Sequence, residues 1–321
     1  MHRPAARPAA AAFAGLALLL SGCAPTAGSS PEGAGDGVVE VVASTSVYGD
    51  LVSTIGADKV RVSSIITRTS QDPHSYEATT QDKLAVSKAE LVVENGGGYD
   101  DFLHKLAEDT GLDRARVLNA VELSGLANDE PAGQSTTAPA AQDGHDHAGL
   151  NEHVWYSLPA MARLADAVAA RLAELEPSSA ETFRSNAADF KGSLAGLETK
   201  MAQIKASAAA APVAVTEPVP LYLLEAAGLE NQTPEEYTAA IEEDTDVPPA
   251  VLKATTDLVS SGSIRMLAYN LQTEGPQTVA VKDAAVAAGV PVVNFSETLP
   301  EGMSYLEWMT DNVENIGQAL A

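Results

Sequence analysis

The sequence predicts an α/β protein with two halves, each containing a parallel β-sheet flanked by helices. Short β-branched runs alternate with helical segments of about 8 to 12 residues, a pattern typical of parallel βα units. One long amphipathic helix interrupts this alternation, which resumes after Pro212. The chain has 321 residues, which is enough for two lobes with buried cores.

In the N-terminal half, residues 38–177, strands and helices alternate regularly. The predicted strands cover residues 38–43, 60–66, 91–94 and 116–118, and the predicted helices cover residues 48–56, 82–89 and 99–109. Residues 124–150 then contain many Pro, Ala, Ser and Thr residues and cannot build a core. We therefore predict a mobile surface loop over this segment.

Two strong helices follow the loop. The first carries an apolar face from Met161 to Leu175 and ends before Pro177. The second is predicted to begin with a capping box of Ser178 and Glu181. Its apolar positions lie alternately four and three residues apart, on one face: Phe183, Ala187, Phe190, Leu194, Leu197, Met201 and Ile204. Such a helix is roughly 30 Å long, so residues 178–208 are predicted to form a rigid linking helix.

The C-terminal half, residues 209–321, returns to the same alternation. Its predicted strands cover residues 213–216, 264–268 and 290–295, and its predicted helices cover residues 221–227, 248–260 and 276–288. A final helix is predicted to begin with a second capping box, formed by Ser304 and Glu307. The two halves therefore have similar architectures on either side of the linking helix.

The composition excludes several classes of function. There are 19 Lys and Arg residues against 44 Asp and Glu residues, which gives a formal net charge of -25. A surface this acidic repels phosphate backbones, so we expect no nucleic-acid partner. The single Cys excludes a disulfide framework and any metal site built from cysteines. The motifs of serine hydrolases, zinc proteases and phosphate-binding loops are absent from the sequence.

The first 22 residues predict a lipoprotein signal peptide. Arg3 and Arg7 precede an apolar stretch, residues 9–20, that is too short to span a bilayer. Small residues then lead to Cys23, a pattern that resembles the lipobox of bacterial lipoproteins, in which the cysteine is acylated. We therefore expect an extracytoplasmic protein that is lipid-anchored to the outer face of the cell membrane. Residues 23–37 are predicted to be a flexible tether.

Four side chains that can bind metal lie at informative places. His74 lies in the loop after the second predicted strand, Glu217 directly follows the first strand of the C-terminal half, and Glu297 comes two residues after the last strand. Ligands bind at the carboxyl ends of strands in open α/β sheets. His153 precedes the helix that leads to the linking helix and could join the other three. Two imidazoles and two carboxylates suit Zn(II) or Mn(II).

The residues alone leave simpler interpretations open. Each histidine could be a hydrogen-bonded loop residue, Glu217 could be a solvated turn residue before Pro218, and Glu297 could cap a helix. His145 and His147, within the predicted mobile loop, could bind metal weakly or have no role. The acidic run at residues 242–246 lacks the spacing of an EF-hand and is interpreted as a solvated face.

Three segments carry a resemblance to a known family. They read DPHSYE at residues 72–77, NEHVW at residues 151–155 and SYLEWM at residues 304–309. With them, the chain resembles the zinc/manganese-type solute-binding lipoproteins of bacterial metal ABC importers, the ZnuA-like or cluster A-I family, over essentially all of the mature chain. The resemblance implies two Rossmann-like lobes joined by one long rigid helix, with a metal site in the cleft between the lobes.

The resemblance also implies a ligand set. The family's first and second histidine ligands fall on His74 and His153, and its third position falls on Glu217. That position is His in many zinc binders and Glu in manganese binders. The fourth position, usually Asp, falls on Glu297, where the local motif departs from the common one. The His-rich loop of many zinc members is reduced here to His145 and His147.

The function implied by the resemblance is metal capture and delivery. We expect a monomeric, non-enzymatic receptor that passes a divalent ion to an ABC permease of the cytoplasmic membrane. Zinc is expected, with manganese as the alternative, because such a site holds Zn(II) more tightly than Mn(II). A surface metallohydrolase, with the same ligands and one position open to water, is a second hypothesis. A third is an adhesin-like or scaffolding lipoprotein in which metal is incidental.

Overall fold

The N-terminal half contains four strands and five α-helices among the described residues. The computed structural model describes residues 37–126, 150–208 and 210–321. Their first elements, in chain order, are β1 (Val39–Thr45), α1 (Ser46–Gly56), β2 (Val60–Ile66), α2 (Thr80–Lys88), β3 (Leu91–Glu94), α3 (Asp101–Asp109), β4 (Val117–Asn119), α4 (Ala120–Ser124) and α5 (Leu158–Leu175). The predicted bounds of β2 and β3 are confirmed, and α4 was not predicted.

A 29-residue helix, α6 (Ala180–Ala208), connects this half to the next. The remaining elements are β5 (Pro212–Val215), α7 (Leu221–Ala226), β6 (Glu230–Asn231), α8 (Glu235–Glu242), α9 (Pro249–Ser260), β7 (Leu267–Asn270), α10 (Pro276–Ala287), β8 (Val292–Phe295) and α11 (Tyr305–Leu320). The sequence did not predict β6 or α8, and it predicted a start for β7 that is three residues too early.

Both sheets are parallel, and they share one strand order. The first runs β2-β1-β3-β4 and the second runs β6-β5-β7-β8. In each sheet the second strand along the chain lies at one edge, next to the first. The third strand lies on the opposite side of the first, and the fourth forms the other edge. The predicted fold class, two parallel sheets flanked by helices with one long helix, is therefore confirmed.

The linking helix α6 lies in an apolar core shared by both halves. Its predicted stripe is buried from Phe183 to Met201, and only Ile204 is partly exposed. Side chains from both sheets, such as Val41 and Phe295, belong to the same core. Residues 37–321 accordingly pack as one compact unit. The lobe boundaries at residues 177/178 and 208/209 stay a prediction.

The two predicted capping boxes have different outcomes. At α11 the Ser304 hydroxyl accepts a hydrogen bond from the Glu307 amide at 3.3 Å, and the Glu307 carboxylate accepts one from the Ser304 amide at 2.9 Å. The box predicted at Ser178 is wrong, because that hydroxyl donates to the Glu176 carboxylate and a 3₁₀ turn precedes α6. The backbone after Pro177 thus winds more tightly before the α-helix begins.

Hydrogen bonds join the two halves close to the predicted ligands. The Tyr156 hydroxyl donates to the carbonyl of Ser296 at 2.7 Å, and the Tyr305 hydroxyl donates to the carbonyl of Trp155 at 2.7 Å. Each of these groups is buried. Because the bonds lie next to His153 and Glu297 in sequence, they fix these two backbones relative to each other.

Several predicted features lie outside the described residues. They are the signal peptide, Cys23, nearly all of the tether and of the loop at residues 124–150, and His145 and His147. The described part of that loop begins with Ser124, which is the last residue of α4. No helix in the described ranges has both the length and the apolar composition needed to cross a membrane.

Candidate metal centre

All four predicted ligands line the same cleft. It has a volume of about 510 Å³ and receives His74 and His153 from the N-terminal half and Glu217 and Glu297 from the C-terminal half. Glu217 and Glu297 each follow a strand of the second sheet, as predicted. The cleft therefore combines nitrogen ligands from one half with oxygen ligands from the other.

Three of these residues form a potential ligand group. One ligand atom each from His74, His153 and Glu297 lies within 4.8 Å of the other two. Glu217 lines the cleft but does not belong to this group. His153 and Glu297 are 2% and 5% exposed, whereas a third of the His74 side chain is exposed, 33%. The group is thus closed on the side of His153 and Glu297 and open at His74.

Asn151 orients the ring of His153. The His153 Nδ1 lies 2.7 Å from the Asn151 Oδ1, so the ring donates through Nδ1 and leaves Nε2 for a metal ion. The Asn151 side-chain amide donates to the carbonyl of Pro218 at 2.9 Å, and the Tyr222 hydroxyl donates to the carbonyl of Asn151 at 2.6 Å. Burial lowers the pKa of His153 well below its usual value, so the ring is neutral and ready to coordinate.

A local turn holds His74 at the rim of the cleft. The Asp72 carboxylate accepts the backbone amide of His74 at 2.9 Å and the Ser75 hydroxyl at 2.7 Å. The His74 ring packs edge-on against Tyr99, with 5.0 Å between centroids. These contacts come mostly from its own loop, since no long element carries this residue.

Asn270 connects the two carboxylates. Strand β7 lies between β5 and β8, and Asn270 is its last residue. The Asn270 Nδ2 donates to Glu297 Oε1 at 2.8 Å and also to Glu217 Oε2. The Thr273 hydroxyl donates to the same oxygen of Glu217. The sequence interpretation missed Asn270 because it ended this strand at Ala268, although a polar residue after a buried run was the signal available.

The carboxyl groups of Glu217 and Glu297 both have raised pKa values. Burial raises the pKa of Glu217 to about 7, although hydrogen bonds from Thr273 and Asn270 oppose the rise. Burial, and then repulsion by Glu217, raises the pKa of Glu297 to about 8. A divalent cation in the cleft would favour the ionised form of both groups, so cation binding and proton release are coupled.

A second group of potential ligands shares His153. Ligand atoms of Glu152, His153 and Glu242 also lie within 4.8 Å of one another. Burial raises the pKa of Glu242 to about 8, and its Oε1 is buried and accepts no hydrogen bond from the described residues. The rest of the acidic run, residues 243–246, is exposed as predicted. Glu242 was missed because α8, which ends at this residue and carries it to the cleft, was not predicted.

Several curated proteins resemble this chain in sequence. The manganese-binding lipoproteins MntA of Halalkalibacterium halodurans and Bacillus subtilis are 28% and 31% identical over 184 and 195 residues. These alignments cover 57% and 59% of this chain and 54% and 56% of the relatives, so the chain spans just over half the length of each. The manganese ABC transporter substrate-binding lipoprotein scaA of Streptococcus gordonii is 24% identical over 323 residues, covering 97% of this chain and 96% of the relative.

Solved structures share the fold. The periplasmic zinc binding protein TroA from Treponema pallidum has a TM-score of 0.68 and 20% identity, covering 89% of this chain and 100% of TroA. FpvC from Pseudomonas aeruginosa, solved in complex with Mn²⁺, has a TM-score of 0.66 and 22% identity, covering 88% of this chain and 98% of FpvC. Residues 41–319 match the family model ZnuA, described as the periplasmic zinc-uptake complex component A. The chain therefore belongs to the ZnuA family.

Proposed function

We propose that this protein captures a divalent transition-metal ion outside the cytoplasm and delivers it to an ABC permease. The observation that carries the proposal is the convergence of His74, His153 and Glu297 within 4.8 Å of one another. These residues come from distant parts of the chain and meet only because the fold brings both halves to one cleft. Relatives named as manganese-binding or ABC transporter substrate-binding lipoproteins support the same role.

The proposed ligands of the ion are His74, His153, Glu217 and Glu297. Glu217 completes the set because Asn270 ties it to Glu297, although it lies outside the three-residue group. Two imidazole nitrogens and two carboxylates favour Zn(II), with Mn(II) as the alternative cargo. His145 and His147 are proposed only as accessory ligands that pass the ion inward.

The proposed role is binding and not catalysis. The relatives reported above carry the names of binding and transport proteins. The metal is then a cargo that must be released, and a filled coordination sphere leaves no position for an activated water. The metal-loaded protein is accordingly expected to hydrolyse simple ester and phosphoester substrates no faster than the free metal ion does, and faster hydrolysis would favour the metallohydrolase hypothesis.

Cys23 is the proposed attachment site of a lipid anchor. It is the only cysteine, and it follows a short apolar stretch within a chain whose relatives are named lipoproteins. The Cys23→Ser variant should appear in the soluble fraction of the cell envelope or the medium, whereas the unsubstituted protein stays with membranes. Membrane retention of the variant would remove the case for this anchor.

Competitive titration of the metal-free protein with Zn(II) and Mn(II) tests the proposed function. We expect tight one-to-one binding of at least one ion, and weaker binding in the His74→Ala and Glu297→Ala variants. The His104→Ala variant is the control, because His104 lies outside the cleft, beside Glu94 and Glu108. Equal affinities in all four proteins would refute the site, and absent binding would refute the function.

A further inference from the structure

We infer that Asn270 is a positioning residue that sets the metal preference of the cleft, by leaving each carboxylate one oxygen for the ion. This inference rests on the proposed function. It concerns how the carboxylates are presented to a cation and not which residues bind it. Asn270 does not belong to either group of potential ligands.

The sheet order places Asn270 between the two carboxylates. Strand β7 is hydrogen-bonded to β5 on one side and to β8 on the other. Glu217 and Glu297 each come two residues after the end of one of these flanking strands, and Asn270 ends the strand between them. One amide group at this position can therefore reach both carboxylates.

The orientation of the Asn270 side chain is fixed. Its Oδ1 accepts the backbone amide of Gln272 at 3.1 Å, so its Nδ2 must face the other way, towards the two carboxylates. The backbone amide of Asn270 donates to the Thr216 hydroxyl at 2.9 Å, and the residue is 2% exposed. A primary amide has two N–H groups, and here one is directed at each carboxylate.

The backbone around Glu297 is also held by a side-chain amide group, that of Gln272. The Gln272 Oε1 accepts the backbone amides of Glu297 at 2.7 Å and Thr298 at 2.9 Å. Gln272 thus fixes the backbone that carries the carboxylate, and Asn270 fixes one of its oxygens. The Glu297 residue is therefore restrained both at its backbone and at its carboxylate.

The engaged oxygens determine how many ligand atoms the ion meets. Glu217 Oε2 accepts from both Asn270 and Thr273, and Glu297 Oε1 accepts from Asn270. The Tyr99 hydroxyl also lies beside the Glu297 carboxylate. Asn270 and Thr273 leave one oxygen of each carboxylate without a bond from either of them. Together with one nitrogen from each of two histidines, these two oxygens provide four ligand atoms, which is the number that Zn(II) prefers. Mn(II) favours more oxygens and a higher coordination number, which bidentate carboxylates would supply.

The absence of charge on Asn270 also affects how the cleft attracts a metal ion. A Lys or Arg at the same position could donate to both carboxylates, but it would neutralise the negative charge that attracts a divalent ion. The amide holds the two carboxylates near each other and leaves their charge available. Asn270 thus fixes the positions of the two carboxylates without cancelling the negative charge that attracts the ion.

The test compares Asn270→Leu and Asn270→Asp with Thr273→Val. Leucine keeps the approximate shape and removes both donors. Aspartate keeps the acceptor for Gln272 and removes both donors but adds a negative charge, so a change shared by both variants reports the loss of the donors. Valine at residue 273 removes one donor from Glu217 Oε2 but leaves Asn270 in place. Zn(II) and Mn(II) affinities are measured by competition, and the visible spectrum of the Co(II)-loaded protein reports the coordination number. Thermal unfolding checks that each variant is folded.

We expect the unsubstituted protein to give the intense Co(II) absorption of a four-coordinate site. Each Asn270 variant should lower the ratio of Zn(II) to Mn(II) affinity by about tenfold or more, the size of effect that outer-shell partners have on metal sites. Its Co(II) absorption should weaken as the coordination number rises. Thr273→Val should change both readouts less than either Asn270 variant does.

Two results would overturn the inference and leave the proposed function standing. One is a six-coordinate Co(II) spectrum in the unsubstituted protein, which does not depend on any variant being folded. The other is an equal loss of Zn(II) and Mn(II) affinity in a folded Asn270 variant whose spectrum is unchanged. If the unsubstituted protein binds neither Zn(II) nor Mn(II), the proposed function fails and the inference fails with it.

Discussion

The two sheets have one strand order, but the asparagines at equivalent strand ends have different contacts. Asn95 directly follows β3, and its side-chain amide donates to the carbonyls of Gly96 at 2.8 Å and Glu152 at 3.0 Å. Asn270 ends β7, the corresponding strand, and its amide donates to two carboxylates. The first asparagine supports the backbone beside a histidine, whereas the second acts directly on the acidic side chains.

This difference shows how one architecture can supply two kinds of ligand. The N-terminal half presents the imidazoles of His74 and His153, and the C-terminal half presents the buried carboxylates of Glu217 and Glu297. The three-residue group takes its two imidazoles from the N-terminal half and its carboxylate from the C-terminal half. The comparison predicts that the nitrogen side controls whether an ion binds at all and that the oxygen side controls how binding depends on pH.

The largest expected effect is from the His153→Ala variant. His153 is buried and belongs to both groups of potential ligands, so its loss removes a ligand from each group. We expect Zn(II) affinity to fall by more than about 100-fold, the upper end of what outer-shell changes cost. Isothermal titration measures the change, with His104→Ala on α3 as the control. A loss smaller than that of Glu297→Ala would reverse the proposed division between the halves.

A smaller change in metal affinity is expected when the pH is changed. The pKa values of Glu217 and Glu297 are raised to about 7 and about 8, so these groups hold protons at low pH and must lose them to bind metal. The pKa of His153 is lowered, so this ring is already neutral. Affinity should therefore rise between about pH 6 and about pH 9, with proton release that calorimetry in buffers of different ionisation enthalpy can count.

The same shifts predict how stability changes with pH. A carboxyl group whose pKa is raised by folding stabilises the folded state at low pH, and this contribution is lost as pH rises through the folded value. The metal-free protein should therefore lose stability towards about pH 8 to 9, and metal should raise its melting temperature more there than near pH 6. Constant stability of the metal-free protein between about pH 6 and about pH 9 would contradict this prediction. Affinity that rises only between about pH 4 and about pH 6 would contradict the preceding one.

The smallest effect is expected from the Asn151→Leu variant. Asn151 orients His153 and also contacts the C-terminal half through Pro218 and Tyr222. Loss of this partner should weaken Zn(II) binding by about tenfold, and Asn151→Asp should retain more affinity because it keeps the acceptor for Nδ1. The exposed Asn315→Leu is a matched control. Equal affinities of the two Asn151 variants would show that orientation of the ring is unimportant.

The sequence predicted the features that depend on local patterns. The apolar stripe of α6, the bounds of β2 and the capping box at Ser304 follow from periodicity or from residues three positions apart. Candidate ligands at strand ends could be predicted because parallel sheets present their carboxyl ends at one edge.

The features that the sequence did not predict depend on contacts between distant residues. Asn270 acts on Glu217 and Glu297, which are 53 and 27 positions away, and only the strand order brings them together. Glu242 looks like part of a solvated acidic run until α8 places it in the cleft. Short strands such as β6, with two residues, carry no periodic signal at all.

The hydroxyl-to-carbonyl bonds of Tyr156 and Tyr305 have a consequence for the lifetime of the bound ion. They hold together the backbones beside His153 and Glu297, which are the buried ligands of the cleft. His74 is instead kept in place largely by its own turn. Movement of the His74 turn breaks the two bonds to Asp72, whereas parting the two halves breaks both tyrosine bonds and the two bonds at Asn151. Residence time would then be governed by one surface turn, so that changes around Asp72 and Ser75 could tune how quickly the cargo departs while leaving its equilibrium affinity mostly to the buried ligands.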